Sequence, residues 1–89
     1  MRIINDPSII DCTPITIRDG EHPNRLVLRD LGDNHFVIHR ESMKINGDTI
    51  EHMSFYHGEY FGDLDRATDM FNIRAGLKIA EHDSVNYSI

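Results

Sequence analysis

The 89-residue chain is short of several things at once: it has one cysteine, three prolines, no tryptophan, and nine basic residues against fifteen acidic ones. A lone cysteine, Cys12, excludes an intramolecular disulfide. Small secreted folds usually need such staples, so a reducing, cytoplasmic setting is expected. No apolar run approaches the roughly 20 residues of a membrane span. The stretch after Met1 and Arg2 stops at Asn5-Asp6-Pro7, too early for the apolar region of a signal peptide. The deficit of bases gives a net charge of −6, which speaks against direct binding to a phosphate backbone. A phosphate loop, a glycine-rich dinucleotide fingerprint, a nucleophile-elbow serine and a twelve-position calcium loop are also missing. Nothing in the motifs therefore points to an enzyme or calls for a cofactor.

What remains is enough for one folded domain over residues 1–89. Apolar residues make up 39% of the chain, sufficient for one small core and not for two. Three tyrosines and four phenylalanines argue against wholesale disorder. All three prolines, Pro7, Pro14 and Pro23, lie early, so residues 1–24 are expected to be loops and short edge strands, with Ile15-Thr16-Ile17 as one strand. Residues 25–61 carry strand-forming runs at Leu26-Val27-Leu28, Phe36-Val37-Ile38 and Met53-Ser54-Phe55-Tyr56, separated by turn residues. The Asn46-Gly47 dipeptide suits a two-residue type I′ turn. It pairs Ile45 with Asp48 and, counting outward, Arg40 with Met53, Ile38 with Phe55 and Phe36 with His57. The face holding Phe36, Ile38, Met53 and Phe55 is then the core. The opposite face, with Val37, His39, Glu41 and Met43, is mixed and is solvated or partly covered by a partner.

Asp63 is placed as the N-cap of a helix over residues 63–75, with Gly76 as the residue that ends it. At 100° per residue Leu64, Ala67, Met70, Phe71 and Ala75 share one arc, while Ile73 falls outside it. Residues 77–89 read as a tail or an added edge strand. The fold class is therefore α+β: an antiparallel sheet of three to five strands with one amphipathic helix on one face.

Three groups of residues invite a functional reading. The hairpin register sets Glu41 opposite His52 with His39 diagonal to it, a set that would hold a metal with one open position; the plainer reading is a solvated His/Glu pair. Cys12 is either a nucleophile or, more simply, a small buried thiol. The third group is the charge itself, since residues 45–89 carry most of the negative excess. Among Asp48, Glu51, Glu59, Asp63, Asp65 and Asp69 only Arg66 compensates, and such a surface steers association with a basic protein. Solubility alone also accounts for these acids. Tyr56, Tyr60 and Ile73 would supply apolar anchors beside them.

The run Phe55-Tyr56-His57-Gly58-Glu59-Tyr60-Phe61, followed by Asp63-Leu64-Asp65-Arg66-Ala67 and Asp69-Met70-Phe71-Asn72-Ile73-Arg74, resembles small phage and mobile-element proteins in which an aromatic strand leads into one amphipathic helix. In size, charge and α+β make-up the chain is similar to anti-CRISPR proteins, a resemblance of type. It implies a non-enzymatic inhibitor or adaptor in the host cytoplasm, bound to a basic host protein or nucleoprotein complex through Asp48, Glu51, Tyr56, Glu59, Tyr60, Asp65, Asp69 and Ile73. A metal-dependent enzyme or sensor using His39, Glu41 and His52, and a homo-oligomeric module holding a small ligand, remain open from the sequence.

Overall fold

The computed structural model describes residues 2–76. Five strands and one helix form in the order β1 (Arg2–Ile3), β2 (Ile9–Cys12), β3 (Asn24–Gly32), β4 (His35–Asn46), β5 (Thr49–Phe61) and α1 (Leu64–Arg74). The strands make one sheet in the order β1-β5-β4-β3-β2. Neighbours are antiparallel except β1, which runs parallel to β5. The expected α+β class with one helix holds, with a mixed sheet in place of an antiparallel one.

Both hairpins turn where the backbone admits a left-handed conformation. Asp33 and Asn34, at φ of 53° and 59°, join β3 to β4, so the turn with two left-handed central residues forms here and not at Asn46-Gly47. In the second hairpin Asn46 pairs with Thr49, leaving Gly47 and Asp48 as the central residues. Gly47 alone takes positive φ, 60°. The turn thus moves one residue along from the expected register, so Ile45 pairs with Ile50 and not with Asp48. This setting buries Ile50 and leaves Asp48 in water.

Two bulges in β5 then overturn the rest of the expected pairing. The first inserts Met53 between the Met43–His52 and Ser42–Ser54 pairs. The second sets His57 and Gly58 against His39 alone, between the Arg40–Tyr56 and Ile38–Glu59 pairs. Each inserted residue flips the strand's faces. Phe36 therefore pairs with Phe61 and not His57, and Phe55 leaves the expected core for the other face, opposite Glu41. Met53 is exposed.

The core under α1 consists of Leu26, Leu28, Phe36 and Ile38 from the sheet, with Ala67 and Phe71 from the helix and Phe61, Met70 and Ala75 at its margin. Asp63 caps the helix by accepting from the Asp65 N–H at 3.3 Å, and Gly76 closes it at φ 78°. Leu64, assigned to the apolar arc, is exposed, because the helix meets the sheet through its middle turns. Ile73 is half-buried. Ile15-Thr16-Ile17 makes no strand: only Thr16 bridges to Asn24. Thr13 still donates its N–H to the Leu26 carbonyl at 2.9 Å, and Pro14, lacking an N–H, ends the ladder there. The reading of residues 77–89 lies outside the described residues. No helix among the described residues is long and apolar enough to cross a membrane.

Phe71 is the largest side chain joining helix to sheet and is 1% exposed. Phe71→Ala should cost about 3–5 kcal/mol through lost burial and a residual cavity. Urea unfolding followed by circular dichroism reads this as a lower midpoint at unchanged slope.

Candidate functional site

The sheet face turned away from α1 is the one expected to be mixed and either solvated or partly covered by a partner, and Val27, Val37, His39, Glu41, Met43 and Ile50 are all buried there by the chain's own N-terminal segment. Residues 4–8 explain the difference. They link β1 at one sheet edge to β2 near the other, and so cross this face. Ile4 donates its N–H to the Ile50 carbonyl at 3.0 Å, and the Ser8 carbonyl accepts from Asp30 N at 2.8 Å. The strap is fastened to the sheet by two arginines of β3 in between.

Arg25 and Glu41 form the centre of that fastening, at 2% and 0% side-chain exposure. Glu41 Oε1 accepts from Arg25 Nε at 2.6 Å, and its Oε2 from His52 Nδ1 at 2.9 Å. Arg25 Nη2 donates to the Asn5 side chain at 2.7 Å and Nη1 to Cys12 Sγ at 3.4 Å. All three guanidinium nitrogens and both carboxylate oxygens are thereby engaged, which is what burial of two opposite charges requires. Cys12, expected to be a small buried thiol, is exposed at the rim of this network.

Arg29 fastens the other end. Its guanidinium lies 4.1 Å above the centre of the Phe55 ring, and its Nε donates to Ser8 Oγ at 2.8 Å. Arg29 Nη1 approaches His39 Nε2 at 3.4 Å, which makes Nε2 the acceptor and leaves the ring proton on Nδ1. His39 stacks on Phe55 at 5.0 Å between centroids, and its buried Nδ1 has no partner. Burial first, and the Arg29 charge second, hold the His39 pKa below its ordinary value. Asp6 in the strap is held below the ordinary carboxyl value by the Ser8 hydroxyl, then by the Ser8 N–H.

The metal reading of His39, Glu41 and His52 does not survive this geometry. His52 sits opposite Met43, diagonal to Glu41, while the His39 ring is turned onto Phe55 and Arg29. Oε1 of Glu41 is taken by Arg25. Among the described residues no three histidine, cysteine, aspartate or glutamate side chains gather as a metal site.

The eight residues read as partner-binding fall into separate places. Asp48 and Glu51 lie at the tip of the second hairpin, roughly 25 Å or more along β5 from Glu59, where the end of α1 is tied down. Glu51 accepts from Asn46 Nδ2 at 3.2 Å. At the other end Asp65 and Asp69 are exposed on the outer side of α1, with Ile73 one turn further on. Glu59 holds Arg74 through two bonds of 2.7 and 3.0 Å, so it is a paired carboxylate. Tyr56 pairs across from Arg40 on the helix side. Tyr60, 65% exposed, belongs to the opposite face, edge-on to His39. The strap network was missed by sequence reading. Its only signal was the Arg25-x-Val27-x-Arg29 alternation, which sets two arginines on one face of a strand.

The chain was compared with protein-family models, with curated protein sequences and with solved structures, and none matches.

Two outcomes follow from the network. Glu41→Gln leaves the Arg25 charge buried and unpaired and should cost about 3–5 kcal/mol in urea unfolding. Because His39 is held neutral in the folded state, the unfolded chain takes up its proton first as pH falls. Stability should therefore decline as pH drops below about 6.5 and level off once the folded histidine also titrates. In His39→Gln, urea midpoints measured between pH 7.5 and 5 should lose that part of the slope, leaving only the contribution of the other groups.

Proposed function

We propose that this chain is a non-enzymatic protein-binding module that engages a basic surface through the acidic outer side of α1. The observation that carries this reading is how the bases are disposed. Arg25 is buried on Glu41, Arg29 is half-buried under the strap, and Arg74 is tied to Glu59. The two ion pairs each withdraw one charge of each sign, so the net charge of −6 is left to the rest of the chain. Asp63, Asp65 and Asp69 are exposed there within two helical turns, with Arg66 as the exposed base among them. A negative field of this kind raises the rate of encounter with a basic partner and weakens with added salt. The half-buried Ile73 supplies apolar contact on the same side.

Its size, net charge and α+β make-up extend the proposal by type to an inhibitor that blocks a host nucleic-acid-handling defence complex, as anti-CRISPR proteins do. The test is recovery of partners from bacterial lysate by the full chain, at low and high salt, with and without added DNA or RNA. The wild type should retain a nucleic-acid-binding protein at low salt and lose it to high salt or to nucleic acid. Asp65→Lys combined with Asp69→Lys should bind that protein about tenfold more weakly at low salt, with a shallower salt dependence. Far-UV circular dichroism confirms that the helix persists in the variant. Equal recovery by both proteins, or recovery of nothing, would sink the reading.

A further inference from the structure

We propose that the groove formed among the described residues beyond the last turn of α1 is a binding site for a small phosphorylated molecule, held as a phosphate monoester by Arg40 and Arg74 with His57 beside them. The inference goes beyond the protein-binding reading and does not rest on it.

Along β4 the residues facing the helix are Phe36, Ile38 and then Arg40. The first two are covered by α1, while Arg40 emerges past its end and is exposed. There the sheet and the helix end enclose a groove of about 660 Å³, floored by Leu26 and Ile38 and flanked by Arg40, His57 and Arg74. A second hollow shares Arg40 with it and is lined by Arg18, Glu21 and Tyr56. This size suits a small metabolite.

Three features give the groove its chemistry. Arg40 carries a permanent charge, yet its bond to the Asn24 side chain is long, 3.4 Å, and no carboxylate among the described residues pairs with it. Arg74 is oriented by Glu59, which occupies Nε and Nη2 and leaves Nη1 for another acceptor. His57 holds a left-handed backbone, φ 57°. That conformation belongs to the His57-Gly58 bulge, which breaks the alternation of β5 and leaves His57 lining the groove. Gly58 makes the bulge possible, since a Cβ there would lie 3.0 Å from His39 Cε1.

The ligand class follows from charge and shape. Forked guanidinium donors match phosphate oxygens, and an apolar floor strengthens the attraction. Glu59 within the groove and the net charge of −6 oppose a long polyanion, so a single phosphoryl group is favoured over nucleic acid. Tyr56, opposite Arg40 on β5, offers a ring to an organic moiety attached to that phosphate.

The experiment is a titration of the full chain, labelled with nitrogen-15, followed by backbone amide shifts. Inorganic phosphate is the first probe and adenosine monophosphate the second, with sodium chloride matched for ionic strength. Saturable shifts confined to Arg40, His57, Gly58 and Arg74 are expected with both phosphates and absent with chloride. Adenosine monophosphate should bind more tightly than phosphate if the ring of Tyr56 takes part. Arg40→Gln, on an exposed side chain, should weaken both by about tenfold or more. Tyr56→Ala should lower the affinity for adenosine monophosphate toward that of phosphate. Shifts that fail to saturate, that spread over every surface arginine, or that persist unchanged in Arg40→Gln would overturn the proposal.

Discussion

The carboxylate of Glu41 is the group around which the strapped half of the molecule is arranged. A charge at 0% exposure must be met by an opposite charge and by hydrogen bonds on both oxygens, or the strand carrying it would not stay inside. Arg25 meets it from β3, which fixes the β3–β4 register, since Arg25 lies directly opposite Glu41. Arg25 then has nitrogens left over. Asn5 and Cys12 satisfy them, which draws residues 5–12 across the face and along its edge. A well-packed apolar trio of similar volume would often be as stable as such a network. What the ion pair adds is selection, because a strand slipped by one residue leaves a buried charge alone.

The sheet is thereby covered on both sides by different means, a helix on one and a strap on the other. β5 has to serve both, and it does so without regular alternation. Ile50, His52, Phe55 and Tyr60 belong to the strapped face, whereas Ser54, Tyr56, Glu59 and Phe61 belong to the helix face. In an unbroken strand Phe55 and Phe61 would share one face. The His57-Gly58 bulge separates them, giving Phe61 to the helix core and Phe55 to the stack with His39 and Arg29. The bulges also deform an edge that β1 covers only at Thr49 and Ile50 among the described residues, the usual protection against pairing with another chain.

This explains which parts of the fold could be read in the sequence. The helix, its Asp63 cap and its Gly76 stop depend on neighbours a few residues apart, and they appear where local chemistry puts them. The strands of residues 24–61 likewise follow from local composition. Register is different, because each inserted residue inverts every face after it. Met53 carries no local signal of being an insertion, and at His57 the only one is the glycine that follows it. The pairing of Glu41 with His52 was legible only because a diagonal neighbour still lies within reach. Its third partner, Arg25, comes from a strand sixteen residues earlier. The strap was not legible at all, since it depends on two β3 arginines finding Asn5 and Ser8.

The disposition of charge is the step that joins fold to surface. A chain with nine bases and fifteen acids has few cations to place, and this fold spends Arg25 and Arg29 on holding its own N-terminal segment. Those two never reach the outer field. Arg74 is kept at the surface but aimed by Glu59, and Arg40 stands at the end of a row that is otherwise apolar. The net charge of −6 is therefore left to the rest of the chain, while Arg40 and Arg74 line one groove between helix end and sheet together with Glu59. Exposed charges on so small a body act locally, because screening confines each to about 8–10 Å in physiological salt, a fraction of the 46 Å length of the molecule.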